Sequence, residues 1–148
     1  MKPLLVGEAN PYQSDPRLAQ RFALYPDPPG CAGWRLCHKV MQLDPDDYLA
    51  RFDRVNLCDG KWSIREARQR AVELVRRSNT ESPVDDRPYF VLFGSKVCAA
   101  FVMPFDPFRL HAESRYVILP HPSGLSRAWN EPGAYERARA VLREAGVL

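Results

Sequence analysis

Four short apolar or strand-like runs alternating with helix-patterned segments predict an α/β chain. The expected architecture has three layers, α/β/α, around a four-stranded, mainly parallel central sheet. Three observations carry this reading. Residues 3–7 and 89–93 are continuous apolar runs, as strands buried on both faces require. Each of the four runs stops at a glycine or proline signal: Gly7, Asp59-Gly60, Gly94-Ser95 and Pro120. The composition, 45% hydrophobic and 26% charged over 148 residues, is that of an ordinary globular protein. Such a length suits one domain, residues 1–148, that buries about 70% of its unfolded-chain surface.

Taken in order, residues 3–7 form the first strand, and a loop rich in Pro, Asp and Gly runs from Asn10 to Gly33. Trp34, Cys37, Val40 and Met41 then recur at helical spacing, and Leu43-Asp44-Pro45 ends that helix. Residues 52–57 are the second strand. Ser63 and Glu66 make a capping box for a helix with the apolar stripe Ile64, Ala67, Ala71, Leu74 and Val75. Residues 89–93 are the third strand, turned by Gly94-Ser95 into a helix with Val97, Ala100 and Phe101 inward. Residues 116–119 are the fourth. Asn130 is expected to cap the last helix, with Pro132 in its first turn, Ala134, Ala138, Val141 and Leu142 on one face, and Gly146 as its stop.

The net charge of +3, from 21 basic and 18 acidic residues, permits an acidic partner without demanding one. Cys31, Cys37, Cys58 and Cys98 lack C-x-x-C spacing, which argues against a metal or iron–sulfur cluster and for reduced core thiols. The first eight residues have too short an apolar run for a signal peptide. The later run, residues 97–105, has about half the ~20 residues that span a bilayer. A cytoplasmic, monomeric protein without membrane contact or cofactor is expected. Proline is enriched, 14 of 148, and stiffens the loops between elements.

In parallel sheets ligands bind beyond the carboxyl ends of the strands. Two segments there carry chemistry. In Gly7-Glu8-Ala9-Asn10-Pro11-Tyr12, a carboxylate and a carboxamide lie two residues apart on a stiffened turn, suited to holding a water or steadying positive charge. Asn10 as a plain turn starter before proline is the structural alternative. In Pro120-His121-Pro122-Ser123-Gly124-Leu125-Ser126-Arg127, a histidine is locked between prolines and a leucine stands between small residues with no packing role.

Together these segments resemble the two signature motifs of the uracil-DNA glycosylase superfamily. The first looks like a composite: G-E-A as in the iron–sulfur branch, N-P as in the mismatch-specific branch, P-Y as in family one. The second, H-P-S-G-L-S, is similar to H-P-S-P-L-S and N-P-S-G-L-S. Gly30-Cys31-Ala32-Gly33, Arg54-Val55-Asn56-Leu57-Cys58 and residues 91–97 resemble further segments of the iron–sulfur branch, whose cluster cysteines are missing here.

The resemblance implies a pyrimidine flipped out of DNA while its N-glycosidic bond breaks. His121, neutral, would donate to the base O2 as negative charge develops, a contribution of about 3 kcal/mol. Asn10 or Glu8 would hold the attacking water. Asn56 would read the uracil edge, accepting from N3–H and donating to O4, or would simply satisfy backbone at its strand end. Tyr12 would wall off C5 against thymine's methyl. Phe22 or Tyr25 would stack on the base, or belong to the core. Leu125 would wedge into the gap, and Ser123, Gly124, Ser126 and Arg127 would meet the DNA.

The expected activity is therefore a monofunctional glycosylase that removes uracil. Excision of a C5-modified pyrimidine and a non-catalytic DNA- or base-binding module are the alternatives. No deaminase, Walker, dinucleotide-binding or nucleophile-elbow motif occurs in the chain. The arginine-rich helix (Arg65, Arg68, Arg70, Arg76, Arg77), interleaved with Glu66 and Glu73, reads as a solvated face.

Overall fold

A computed structural model describes residues 2–9 and 20–148. The first apolar run becomes strand β1 (Leu4–Ala9), which continues past Gly7 through Glu8. Helix α1 starts as Ala32–Trp34 and continues as a π-helical turn over Arg35–Val40, where the Met41 N–H reaches back to the Leu36 carbonyl at 2.8 Å. After it come α2 (Pro45–Arg51), β2 (Asp53–Cys58), α3 (Ile64–Glu81), β3 (Phe90–Phe93) and α4 (Ser95–Ala100). β4 (Arg109–His111), β5 (Tyr116–Leu119) and α5 (Ala134–Glu144) complete the described elements, with 3-10 turns at Val84–Asp86 and Arg127–Asn130.

The strands form one sheet in the order β2-β1-β3-β5-β4. β1 pairs in parallel with β2 and β3, β3 pairs in parallel with β5, and β4 runs antiparallel to β5. Five strands replace the expected four. β4 has no apolar run to announce it; its three residues are exposed or half-buried and become a strand because the β5 edge supplies the ladder.

Helices cover both faces. Leu5, Val91 and Leu119 pack on one side against α1, α2 and α5 through Leu36, Tyr48 and Leu142. Val6, Leu92 and Ile118 pack on the other against α3 and α4 through Ala67, Ala71 and Val97. Alternate residues of β1, β3 and β5 thus feed two separate cores, which is why these runs are apolar throughout. Truncating a fully buried residue such as Leu92 to alanine costs about 2–5 kcal/mol.

Several local expectations are corrected. Asp44-Pro45 begins a helix as well as following one: the Asp44 carboxylate accepts from Asp46 N–H at 3.0 Å, and Pro45 suits a first turn that needs no donor. Gly133, at φ +79°, rather than Asn130 stands at the N-cap of α5, because residues 127–130 are taken up by the 3-10 turn. Ile64 is 44% exposed and lies off the buried stripe of α3. The capping box forms by half: Ser63 Oγ accepts from Glu66 N–H at 3.3 Å, while Glu66 Oε1 takes the Asp59 N–H at 3.2 Å.

All four cysteines are free thiols, and burial pushes Cys37 and Cys98 up to about 11, so both stay protonated. Among the described residues no helix is long and apolar enough to cross a membrane.

Candidate active site

The sheet order reverses at β1, which has β2 on one side and β3 on the other. In open α/β sheets the crevice beyond the carboxyl ends at such a reversal receives ligands. Four parallel strands bring residues to this end of the sheet: Asn56 on β2, Glu8 on β1, Gly94 directly after β3, and His121 two residues past β5.

Glu8 Oε2 lies 3.8 Å from His121 Nε2, both side chains about a quarter exposed. That separation exceeds a hydrogen bond, so the two groups face one space without saturating each other. Gly94 makes the approach possible. A Cβ at this position would stand 3.2 Å from His121 Cβ and 3.6 Å from Glu8 Oε1, and its φ of +93° disfavours any other residue. The Gly94 N–H donates to the Leu119 carbonyl at 2.9 Å, tying the ends of β3 and β5 together.

The imidazole and the backbone of His121 are each held by a hydrogen bond. Ser123 N–H donates to His121 Nδ1 at 3.1 Å, so the neutral ring carries its proton on Nε2, the nitrogen facing Glu8. Trp129 Nε1–H donates to the His121 carbonyl at 2.8 Å and the indole stacks on Tyr135, ring centres 5.5 Å apart. Burial holds His121 below the ordinary imidazole range; the Glu8 charge opposes this and Lys96 reinforces it. The result is a neutral, fixed donor with a carboxylate beside it.

Asn56 is buried, 4% exposed, and its side-chain oxygen lies where Gly7 has no side chain: a Cβ on Gly7 would stand 2.6 Å from Asn56 Oδ1. Its backbone is satisfied by others. Gln20 donates to the Asn56 carbonyl at 2.9 Å and accepts its N–H at 3.0 Å, and Arg70 also donates to that carbonyl, at 3.1 Å. Asp59 anchors both helpers, accepting from Gln20 at 2.8 Å and from Arg70 at 3.0 and 3.2 Å, and these bonds hold its carboxyl below the usual range.

The loop that follows residue 19 reaches the crevice through Leu24. Its side chain covers Gly7, its φ of +47° is unusual for a leucine, and its carbonyl accepts from the Tyr48 hydroxyl at 2.7 Å. Gly33 accommodates this bend, since a Cβ there would run into the backbone of Leu24 and Tyr25. Phe22 and Tyr25 pack edge to face on each other, 5.3 Å apart, and arginines lie over both rings, Arg21 over Phe22 and Arg54 over Tyr25. These contacts hold the two rings to the loop and β2, not to Glu8 or His121.

Residues 123–126 close a turn through Ser126 N–H to the Ser123 carbonyl at 3.2 Å. Leu125 stands at its tip, 93% exposed, next to exposed Gly124, with Ser126 half-buried and Arg127 exposed. Asn10 and Tyr12 lie outside the described residues.

Sequence reasoning takes Gly94 only as the turn after the third strand and does not single out Gln20, Leu24, Lys96 or Trp129. The glycine directly after a buried strand was a usable signal for Gly94. The others act through contacts distant in sequence. No protein-family model matches the chain, and no curated protein matches it.

Proposed function

We propose that this protein is a DNA glycosylase, with a fold of the uracil-DNA glycosylase kind, that hydrolyses the N-glycosidic bond of a flipped-out uracil and leaves an abasic site. The observation that carries the reading is the Glu8–His121 pair, 3.8 Å apart over Gly94, with the histidine proton directed to Nε2. Breaking the bond puts negative charge on the base O2 and positive charge on the sugar. His121 Nε2–H donates to the oxygen, and such a preorganised donor contributes about 3 kcal/mol. The Glu8 carboxylate, alone or with Asn10, stabilises the cation-like sugar and orients the attacking water.

Asn56 reads the base edge from β2, its carboxamide lying over Gly7. Cytosine presents the opposite donor and acceptor pattern and would leave buried polar groups unpaired. Leu125, exposed at the tip of its turn, is suited to fill the gap left by the flipped nucleotide.

Alkaline cleavage of a uracil-containing oligonucleotide tests this, with wild type, Glu8→Gln, Asn10→Ala and His121→Ala in parallel and 5-hydroxymethyluracil as a second substrate. Strand breaks are expected only at uracil, falling at least a hundredfold in His121→Ala. Equal cleavage by His121→Ala, or none by wild type, overturns the assignment.

A further inference from the structure

The Arg35 guanidinium, at the start of the π-helical turn of α1, is wedged beneath the turn of residues 123–126. Its Nη2 lies 3.4 Å from where a Gly124 Cβ would be. Nη1 donates to the Tyr135 hydroxyl at 3.3 Å, and Tyr135 is the ring stacked on Trp129, which in turn holds the His121 carbonyl. Arg35 is thereby tied to the same frame that fixes the histidine.

Its charge has no ion-pair partner among the described residues: no carboxylate there lies within 4 Å of the guanidinium. Nε is buried with no hydrogen-bond partner. A half-buried cation without a counter-charge costs free energy in the unliganded protein, and an arriving anion relieves it. Gly124, exposed on its turn, puts no side chain over Nη2.

We infer that Arg35 binds a backbone phosphate of DNA gripped by the turn of residues 123–126, an inference that rests on the glycosylase reading. The guanidinium fork matches phosphate geometry, and a glycine at 124 lets the phosphate come close to the backbone. The contact would couple phosphate binding to the loop that carries both the wedge Leu125 and the donor His121.

The test is equilibrium binding of the full chain, across a salt series, to a duplex whose uracil carries a hydrolysis-resistant 2′-fluorinated sugar, with Arg35→Gln, Arg35→Lys and Tyr135→Phe. Arg35→Gln should weaken binding about tenfold and lower the slope of log K against log salt by about one. Arg35→Lys, which keeps the charge, and Tyr135→Phe, which keeps the arginine, should retain the slope. Single methylphosphonate linkages scanned around the uracil should reveal one position that weakens wild type and leaves Arg35→Gln unaffected. If wild type binds and cleaves while Arg35→Gln keeps the wild-type slope, or no linkage couples to it, the inference falls and the glycosylase reading stands. Loss of slope in Arg35→Lys also overturns it. If wild type neither binds nor cleaves uracil DNA, both fall.

Discussion

Glu8 and His121, more than a hundred positions apart in the chain, come to 3.8 Å across the one residue between their strands that has no side chain, Gly94. The order β1-β3-β5 makes them neighbours but one, and the missing Cβ lets them share a space.

Gly94→Ala should therefore injure the site more than the fold. The new methyl would press on His121 Cβ at 3.2 Å, and the +93° φ adds backbone strain. Stability should fall by about 1–2 kcal/mol in urea unfolding, while cleavage drops at least tenfold. An unchanged rate in a folded variant would remove Gly94 from the site.

The pH dependence follows from His121. Burial holds its native value below the ordinary 6.5, so below pH 6.5 the unfolded chain binds the more protons. Stability should decline as pH falls from about 6.5 towards the native value, and the acid limb of the rate should lie below 6.5. Glu8→Gln should lower the native value further and Lys96→Met should raise it, both read from the ring resonance in an NMR titration.

Arg70→Met should loosen the end of β2. Its guanidinium holds Asp59 and the Asn56 carbonyl together, the Arg70 and Asp59 side chains being about 30% exposed, so the expected loss is about 1 kcal/mol at neutral pH. Asp59 is held below its ordinary 3.8, so its contribution is present above that pH and fades as pH falls through the native value. Urea unfolding at pH 7 and pH 3 should show the penalty shrinking in acid.

Gly33→Ala should be among the costliest single-methyl additions. The clash is with the main chain of Leu24 and Tyr25, which cannot rotate away as a side chain would. A loss of about 3 kcal/mol is expected in thermal unfolding. A loss below about 1 kcal/mol would show that the loop of residues 20–33 yields easily.

Leu125→Ala should leave stability within about 0.5 kcal/mol, since the residue is 93% exposed. Cleavage of duplex uracil should fall about tenfold and that of single-stranded uracil much less, because only the duplex leaves a gap to fill. Equal losses on both substrates would contradict the wedge role.

Much of the fold is legible in the sequence. The apolar runs at residues 3–7, 89–93 and 116–119 became β1, β3 and β5, and Ser63 marked the start of α3. β4 was not legible, because Arg109–His111 has no pattern of its own and depends on β5 for its hydrogen bonds. Asn130 looked like a cap by residue type, yet the chain spends it in a 3-10 turn and starts α5 from Gly133. Of the site, His121 and Leu125 stood out through their proline and glycine neighbours, which act locally. Phe22 or Tyr25 is expected as a base platform or as core, and Leu24 between them, which the sequence does not single out, reaches Gly7.

What the chain determined unaided is whatever depends on neighbours a few positions away: where strands and helices form, where they stop, and which turns are stiff enough to display a side chain. Tertiary structure alone decided which of those displayed groups meet. Arg35 and Tyr135, 100 residues apart, touch only because α1 and α5 pack on the same face of the sheet. Short-range preferences are set by backbone sterics and hydrogen bonds within a turn, whereas the meeting of distant groups depends on strand order, register and the space a missing methyl leaves open.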